Sequence, residues 1–361
     1  MIKLPTVNED GCFEIRLESI GGLGANLCGK LLGELAAKYL GLNAASFSSY
    51  GSEKRGSPVK SFIRWCDRDT PIRINSPVMS PHILGLFHEN MIGKIPVTAG
   101  LTEKCKLIAA TDKNPAEIRA LLRLYAGEII AIDAQKIALE SKSRVNMVML
   151  GAIAKVANFI PWEPLAALIE ETLGQKYPKL IKENLEGAKR GYTEGQSQVF
   201  SDDRAYPFVP YREPEDAWGF ETAPIGGINP HIGSTVSSDL SSSRTGYIPL
   251  FLEEKCIHCG LCDTTCPDMV FQFRMGELKG KIQPLNKGLD YHHCKGCLRC
   301  VEICPTGALV AGLEREHPDK KFFLPNQDLL PGALEFENLG ANSWITSESY
   351  LEEKSMNGGV M

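Results

Sequence analysis

The chain has 361 residues, of which 43% are hydrophobic and 23% charged, and this is enough to build a real core in two or more domains. Its formal net charge of −5 and isoelectric point near 5.9 argue against nucleic acid as the main partner. No apolar run approaches the roughly 20 residues of a membrane-spanning helix, and the N-terminal residues lack a secretory signal, so we expect a soluble, cytoplasmic protein without a membrane partner.

The first elements along the chain predict an α/β domain. EIRLESI (14–20) alternates apolar and polar residues as a half-buried strand does, GGLG then makes a tight turn, and apolar residues recur at helical spacing from Leu27 to Tyr39. Further strands are predicted at 60–66, 106–111 and 128–133, and helices at 115–126, 144–158, 163–173 and 178–190. We interpret residues 1–195 as one α/β domain with a mainly parallel sheet.

The glycine turn after the first strand invites comparison with dinucleotide-binding proteins. A G-x-G-x-x-G fingerprint that begins at Gly22 requires glycine at position 27, where this chain has Leu27. It also requires an acidic residue at the end of the second strand, and LNAASFSS (42–49) has none. The pattern therefore does not favour NAD or FAD, although a helix N-terminus attracts anions in general.

A charged loop, SYGSEKRGSPVKSF (49–62), follows. Two adjacent cations in it, Lys54 and Arg55, suit either of two interpretations. The loop is a solvated turn, or it anchors a carboxylate or phosphate, for which the arginine fork of donors is well shaped. The residues alone leave both open.

Two features of this domain indicate burial rather than chemistry. Asn146 opens MVMLGAIAKVA (147–157), a helix that is apolar nearly all round and therefore predicts core or a subunit contact. Four widely spaced cysteines lie in or beside apolar segments, where we expect buried structural thiols: Cys12, Cys28, Cys66 and Cys105.

The character of the chain changes after Gly195. Residues 196–246 hold five prolines and the polar stretch STVSSDLSSSRTG (234–246), which predicts a long, extended linker laid over a partner surface. A cysteine-rich segment (247–315) follows. The C-terminal extension (316–361) has no clear period, and it is either a wrapping arm or a loose end.

Eight of the twelve cysteines lie in two runs, CIHCGLCDTTCP (256–267) and CKGCLRCVEICP (294–305). The concentration of thiols in one short segment predicts metal binding rather than a disulfide scaffold. Each run is a C-x2-C-x2-C-x3-C-P unit, the spacing of bacterial ferredoxins with two [4Fe–4S] clusters. Zinc binding and chance are the alternatives to this interpretation.

In two-cluster ferredoxins the fourth cysteine of each run binds the cluster of the other run. One predicted ligand set is therefore Cys256, Cys259, Cys262 and Cys304, and the other is Cys294, Cys297, Cys300 and Cys266. Pro267 and Pro305 turn the chain away after the last ligand, and Gly260 and Gly296 let the backbone approach the sulfides. We expect the nearby histidines to be spacers or surface residues: His258, His292 and His293.

The order of several motifs resembles one known family. IGGLGA (20–25), SYGSEKRGSPV (49–59), AIDAQKIALE (131–140), NMVMLGA (146–152) and ENLEGAKRGY (183–192) together resemble the γ subunit of 2-oxoacid:ferredoxin oxidoreductases, the pyruvate synthase family. SSRTGYIPLFLEEKCIHCGLC (242–262) resembles the beginning of that family's δ subunit, a two-cluster ferredoxin. The resemblance covers residues 12–315 and indicates a fused γδ subunit, with a parallel-sheet α/β domain followed by a small α+β ferredoxin domain.

The resemblance implies a division of labour between chains. In that family thiamine diphosphate and Mg²⁺ lie between α and β catalytic subunits. There a 2-oxoacid such as pyruvate is oxidatively decarboxylated, usually to an acyl-coenzyme A and CO₂, with release of electrons. Clusters carry the electrons to an external ferredoxin. The thiamine diphosphate motif, GDG followed by a metal-binding Asn, is absent from this sequence. This chain is thus implied to be an electron-transfer and structural subunit without catalytic residues of its own, with Lys54 and Arg55 at the coenzyme A or catalytic-subunit interface.

Two other functions remain open from the sequence. One is a ferredoxin-type subunit of another redox complex, such as a hydrogenase or formate dehydrogenase. The other is a binding protein whose α/β domain senses a nucleotide through GGLG. The sequence does not show which 2-oxoacid is the substrate, because the substrate pocket is expected on other chains.

Overall fold

The structure is a computed structural model that describes residues 3–50, 58–174, 176–211, 226 and 240–317. The chain divides into two compact units, Met1–Glu213 and Pro214–Met361. Within the described residues, no helix is both long and apolar enough to cross a bilayer.

The first unit is built on a seven-stranded sheet. In chain order its strands are β1 (Cys12–Ile20), β2 (Asn43–Tyr50), β3 (Pro58–Cys66), β4 (Ile83–Leu86), β5 (Lys106–Ala110), β6 (Gly127–Ile132) and β7 (Gln196–Phe200). In space they run β2-β3-β1-β4-β5-β6-β7. The four central strands β1, β4, β5 and β6 are mutually parallel, whereas β2, β3 and β7 pair antiparallel. The α/β prediction is confirmed, with antiparallel strands at both sides of the parallel centre.

Six helices accompany this sheet: α1 (Ala25–Tyr39), α2 (Pro115–Leu122), α3 (Ala134–Glu140), α4 (Val145–Ala157), α5 (Trp162–Gly174) and α6 (Ile181–Thr193). Both faces of the sheet are covered, because alternate side chains of β4, β5 and β6 enter different cores. In β5, Ile108 joins the larger core beneath α1, α4 and α5, while Leu107 and Ala109 join a smaller core with α2.

Helix α4 lies inside this unit, as its sequence predicts. Ten of its thirteen residues are buried, and α6 crosses it at close range. At the crossing, a Cβ on Gly151 would overlap the carbonyl of Ala188, and one on Gly191 would overlap the carbonyl of Val148. Glycine is required at both positions because the two helix backbones touch there.

The prediction of buried structural thiols needs correction for two of the four cysteines. Cys12 and Cys66 stand directly opposite each other in the β1–β3 register and form a disulfide. Cys28 and Cys105 are buried free thiols, as expected. Burial raises the pKa of both, for Cys105 to about 12, so neither is a reactive thiolate.

The first compact unit extends past the predicted boundary at residue 195. Residues 196–200 form β7, which pairs with β6 and satisfies backbone groups at that edge of the sheet. The chain then stays on the same unit: Asp203 makes a two-pronged ion pair with Arg119, and Phe208 packs edge-to-face on Tyr125. These local partners hold the first part of the expected linker against the first unit.

The described residues of the second unit, 226 and 240–317, form two short sheets and two short α-helices. Its elements are β8 (Tyr247–Phe251), α7 (Leu261–Thr265), β9 (Phe271–Leu278), β10 (Lys281–Leu289), α8 (Arg299–Ile303) and β11 (Leu309–Leu313). Strands β8 and β11 pair antiparallel, and β9 and β10 form a hairpin with a bulge between Asn286 and Gly288. This arrangement confirms the small ferredoxin-like domain. Residues 318–361, most of the predicted C-terminal extension, lie outside the described residues.

Candidate functional site

The two cysteine runs have the same local backbone plan. His258 and Gly296 occupy equivalent positions, two residues after the first cysteine, and both have a left-handed backbone (φ 56° and 67°). In each run that residue's N–H donates to the first sulfur, Cys256 Sγ or Cys294 Sγ, at 3.4 Å. The sequence repeat is therefore a structural repeat that turns a backbone N–H toward each first sulfur.

A second left-handed residue starts the helix in each run. Gly260 (φ 75°) precedes α7, and Leu298 (φ 60°) precedes α8. Each helix carries the third cysteine, Cys262 or Cys300, and both of these are buried. Gly260 lines the first cavity, and its left-handed backbone is one that side chains other than glycine rarely adopt.

Two cavities among the described residues of the second unit are each lined by four cysteines. The first is lined by Cys256, Cys259, Cys262 and Cys304. The second is lined by Cys266, Cys294, Cys297 and Cys300. These are the same two groups that the sequence spacing predicts, including the exchange of the fourth cysteine between runs. The structure thus brings all eight predicted cluster residues into two sets of four.

The donor set fits an iron–sulfur cluster better than a single metal ion. Within the described part of the chain, no three His, Cys, Asp or Glu side chains converge closely enough to hold one ion. Zinc would require four ligands to converge on one point, whereas a cubane places each thiolate at a separate iron. Thiolate donors suit zinc and iron–sulfur clusters alike, so it is the lack of convergence on one point that favours a [4Fe–4S] cluster over the zinc alternative.

Burial sets the protonation state of several of these thiols before any cluster is bound. It raises the pKa of Cys262 and Cys294 to about 11 and that of Cys300 to about 12. For Cys304, burial acts in the same direction, but backbone N–H groups led by that of Thr306 outweigh it and lower the pKa. Because a metal ligand must be a thiolate, cluster assembly releases protons from the buried thiols.

Arg244 fixes the loop around the second cavity. Its side chain is 1% exposed, and its Nε donates to the carbonyl of Cys294 at 2.8 Å. The guanidinium also donates to the carbonyl of Tyr291 and pairs with Glu314 at 2.6 Å. Gly296 is required next to it, because a Cβ there would collide with the Tyr247 carbonyl and the Arg244 stem. Sequence reasoning assigned no role to Arg244, whose partners lie 47 to 70 residues away.

The three histidines are not free spacers. His258 Nδ1 accepts a hydrogen bond from the backbone N–H of Asn286 at 3.0 Å, and Asn286 in turn lines the first cavity. His293 Nδ1 lies 2.6 Å from Asp290 Oδ2, and His292 is only 7% exposed. His258 and His293 are half-buried and His292 is buried, so none of the three is a fully exposed surface residue.

The glycine turn of the first unit lies against a buried side chain of α4, Asn146, that has an unpaired polar atom. Gly24 is left-handed (φ 84°), and a Cβ there would lie 2.7 Å from the Asn146 carboxamide. Asn146 is 3% exposed, and its Oδ1 has no hydrogen-bond partner among the described residues. Helix α1 begins beside it without a side-chain cap or an acidic residue in its first turn. Lys54 and Arg55, the other residues singled out by sequence, lie outside the described residues.

Two protein families match separate parts of the chain. Residues 14–194 match the pyruvate ferredoxin/flavodoxin oxidoreductase family, and residues 248–305 match the 4Fe-4S dicluster domain.

Relatives of known name match the first part. The pyruvate/ketoisovalerate oxidoreductases common subunit gamma of Thermococcus kodakarensis is 33% identical over 176 residues, covering 47% of this chain and 94% of that protein. Pyruvate synthase subunit PorC of Thermotoga maritima is 33% identical over 185 residues, covering 50% and 94%. The NADH-dependent phenylglyoxylate dehydrogenase subunit gamma of Aromatoleum evansii is 29% identical over 184 residues, covering 50% and 93%.

Among solved structures, the pyruvate oxidoreductase subunit PORC of Thermotoga maritima is 28% identical and covers 52% of this chain and 99% of its own, with a TM-score of 0.45. The relatives thus account for the first unit, and the dicluster match accounts for the second. The chain belongs to the pyruvate ferredoxin/flavodoxin oxidoreductase family and joins a γ-type subunit to a [4Fe–4S] dicluster domain in one polypeptide.

Proposed function

We propose that this chain is the electron-transfer and structural subunit of a thiamine diphosphate-dependent 2-oxoacid:ferredoxin oxidoreductase. The observation that carries the proposal is the pair of cavities, each lined by four cysteines, in the same polypeptide as a γ-type domain. Oxidative decarboxylation of a 2-oxoacid to an acyl-coenzyme A and CO₂ releases two electrons. A [4Fe–4S] cluster takes one electron at a time, so two clusters divide the pair and pass it on to a one-electron acceptor, an external ferredoxin.

The proposed ligand sets are Cys256, Cys259, Cys262 and Cys304 for the first cluster, and Cys294, Cys297, Cys300 and Cys266 for the second. Exchange of the fourth cysteine ties the two runs into one folding unit, because neither cluster is complete without both runs. It also keeps the two clusters close together for electron transfer.

Serine substitutions test the exchange. Cys304→Ser and Cys259→Ser should alter the same cluster signal in electron paramagnetic resonance (EPR) spectra, since the proposal gives them one cluster. Cys266→Ser and Cys297→Ser should alter the other signal. If Cys304→Ser instead alters the signal that Cys297→Ser alters, each run binds its own cluster and the exchange is wrong.

The thiamine chemistry belongs to partner subunits in this proposal. The chain lacks the thiamine diphosphate motif, and relatives such as PorC carry names that describe subunits. Thiamine diphosphate with Mg²⁺ would therefore be held by α and β catalytic subunits, which form the complex with this chain in the cytoplasm. This chain contributes the electron path and a surface for assembly.

Coenzyme A would contact the first unit. The unpaired Oδ1 of buried Asn146 and the uncapped N-terminus of α1 fit a ligand that supplies both a hydrogen-bond donor and anionic phosphate. Lys54 and Arg55, in the segment between β2 and β3, would add positive charge. Together these groups match the chemistry of the adenosine phosphate end of coenzyme A, and no catalytic step is assigned to them.

Charge reversal tests the loop. Lys54→Glu with Arg55→Glu should raise the KM for coenzyme A or weaken assembly with the catalytic subunits. The matched control is Lys179→Glu with Lys182→Glu, which reverses two exposed charges elsewhere on the same unit. If the loop variant keeps normal assembly, KM for coenzyme A and turnover, the loop is only a solvated turn.

Substrate choice is proposed to lie outside this chain. One relative is named a common subunit of pyruvate and ketoisovalerate oxidoreductases, and another belongs to a phenylglyoxylate dehydrogenase. A γ-type subunit that serves several 2-oxoacids is not the part that selects among them. Pyruvate is the simplest substrate, and 2-oxoglutarate, branched-chain and aromatic 2-oxoacids and oxalate are the others to assay.

Anaerobic purification from the native host tests the function. We expect two companion subunits, bound thiamine diphosphate, and viologen reduction that depends on one 2-oxoacid of the panel. Isolation of this chain with hydrogenase or formate dehydrogenase subunits would contradict the oxoacid function while leaving the cluster ligands in place.

A further inference from the structure

Asn286 is a buried amide that contacts a cysteine of the first cavity. It lies in β10 at the bulge, is 1% exposed, and lines the cavity together with its four cysteines. Its Nδ2 lies 3.5 Å from Cys262 Sγ, across 24 residues of sequence. The bulge breaks the regular β9–β10 register at this residue, and bulges re-aim side chains in this way.

The surrounding hydrogen bonds determine which way the carboxamide faces. The N–H of Gly288 donates to Asn286 Oδ1 at 2.9 Å. If the amide were reversed, its NH₂ group would face that N–H donor, and a carbonyl oxygen would face a sulfur that carries negative charge as a ligand. The observed orientation is therefore the satisfied one, and it presents an N–H donor to Cys262. His258 fixes the backbone of the same residue, because its Nδ1 accepts the Asn286 N–H.

The second cavity has a different polar environment. Its lining residues include no carboxamide side chain; the polar side chains besides cysteine are Asp268, Lys295 and Arg299. Lys295 pairs with Asp268 at 3.2 Å, so an ion pair stands at the second cavity where a neutral N–H donor stands at the first. The two runs share their backbone N–H contacts to sulfur, and the side-chain donor is what differs.

We propose that Asn286 raises the reduction potential of the first cluster by donating a hydrogen bond to the Cys262 thiolate. Reduction adds one electron to the cluster and increases the negative charge on its sulfurs. An N–H donor stabilises the reduced form more than the oxidised form, and hydrogen bonds to cluster sulfurs are a known determinant of potential. The proposal rests on the proposed cluster-binding function and assigns Asn286 as a residue that tunes one of the two clusters.

The test is an EPR-monitored redox titration of the complete chain in its native complex, with three variants. Asn286→Leu removes the donor without adding charge. Asn286→Asp also removes it but keeps an oxygen for the Gly288 N–H. Gln283→Glu is the control, because it makes the same amide-to-carboxylate change on the same strand, three residues away, at a side chain with no cysteine contact.

We expect both Asn286 variants to shift one midpoint to more negative potential and to leave the other unchanged. A tenfold change in the electron distribution between the clusters would correspond to about 59 mV for one electron. The signal that moves should be the one that Cys259→Ser alters, and Gln283→Glu should move neither. The unmoved second signal and the iron content show that the variant is folded.

Three results would overturn the role of Asn286. The first is an unchanged midpoint potential in Asn286→Leu, and the second is an equal shift of both midpoint potentials. The third is selective loss of the first cluster, which would mean that Asn286 is needed to keep the cluster bound. If the midpoint potential shifted in Asn286→Asp but not in Asn286→Leu, the shift would be caused by the added negative charge and not by loss of the hydrogen bond. A wild-type complex without two reducible centres would contradict the proposed function itself, and the tuning role with it.

Discussion

Arg244 shows how one buried side chain can hold a cluster loop in place. It joins Cys294, Tyr291 and Glu314 at the second cavity. Replacing it with glutamine would leave a carboxylate and two carbonyls without their cation. Breaking a buried pair by removing one partner costs roughly 3–5 kcal/mol, so we predict that Arg244→Gln lowers the thermal stability of the second unit and loses one of two clusters.

Visible absorbance of the clusters during heating, with iron content per chain, measures this effect. Lys287→Gln is the matched control, because Lys287 and Glu253 are 38% and 63% exposed and such surface pairs contribute about 1 kcal/mol or less. If the two variants lost equal amounts of thermal stability and iron, the buried contacts of Arg244 would contribute no more than an exposed ion pair.

His82 should make the first unit sensitive to acid. Burial lowers the pKa of His82 below its usual 6.5, and its Nδ1 accepts the backbone N–H of Glu14. The folded state therefore favours the neutral ring, and the unfolded chain binds more protons below pH about 6.5. Stability is fully present above that pH and falls as pH drops toward the folded-state pKa, by up to about 1.4 kcal/mol per pH unit for one proton.

Urea unfolding followed by fluorescence of buried Trp65, at pH about 7.5 and about 5.5, measures this dependence. His82→Gln should flatten it, although His88, whose pKa burial also lowers, will retain part of it. If the free energy of unfolding fell equally with pH in the wild type and in His82→Gln, His82 would not contribute to the acid sensitivity.

The candidate site was predictable from sequence only where its residues are close in sequence. The cysteine quartets follow from the spacing of two runs and the known exchange of the fourth ligand. Asn286 and Arg244 were not predictable, since an asparagine two residues before a glycine or an arginine in a serine-rich stretch is ordinary sequence. Only the folded chain brings them to Cys262 and Cys294.

At the α4–α6 crossing, glycines allow the two helix backbones to touch. Gly151→Ala would place a methyl group on the carbonyl of Ala188, so the helices must separate. We predict a loss of about 1–3 kcal/mol, as for other overpacked cores, seen as a lower melting temperature.

Gly174→Ala provides the comparison for that prediction. Gly174 ends α5, and a Cβ there would meet no heavy atom within 4 Å. The same glycine-to-alanine change should be neutral or stabilise by about 0.4–1 kcal/mol. If both substitutions changed the melting temperature equally, close packing at Gly151 would not be the cause.

The elements with long periodic patterns were predictable, and the short ones were not. Strands β1, β3, β5 and β6 and helices α1, α4, α5 and α6 lie within a few residues of their sequence positions. Strand β4, ILGL, is four residues long and fully buried, so it has no alternation to detect. Strand β7, QSQVF, is mostly exposed and polar, and its pairing with β6 decides its conformation.

The whole chain combines a γ-type domain with a dicluster domain, and this fusion is the basis of the functional account. Fusion fixes the ratio of the two parts at one to one. It also places the proposed electron path in the same polypeptide as the proposed assembly surface. The account therefore predicts that electrons from a 2-oxoacid reach the clusters of this chain.

One measurement tests that claim directly. The anaerobically purified native complex is mixed with a 2-oxoacid, with coenzyme A where it is required, and frozen for EPR. We predict that two reduced [4Fe–4S] signals develop, that Cys259→Ser and Cys297→Ser assign them to this chain, and that oxidised ferredoxin removes them. Clusters that stay oxidised with every 2-oxoacid, or that only hydrogen or formate reduces, would contradict the account.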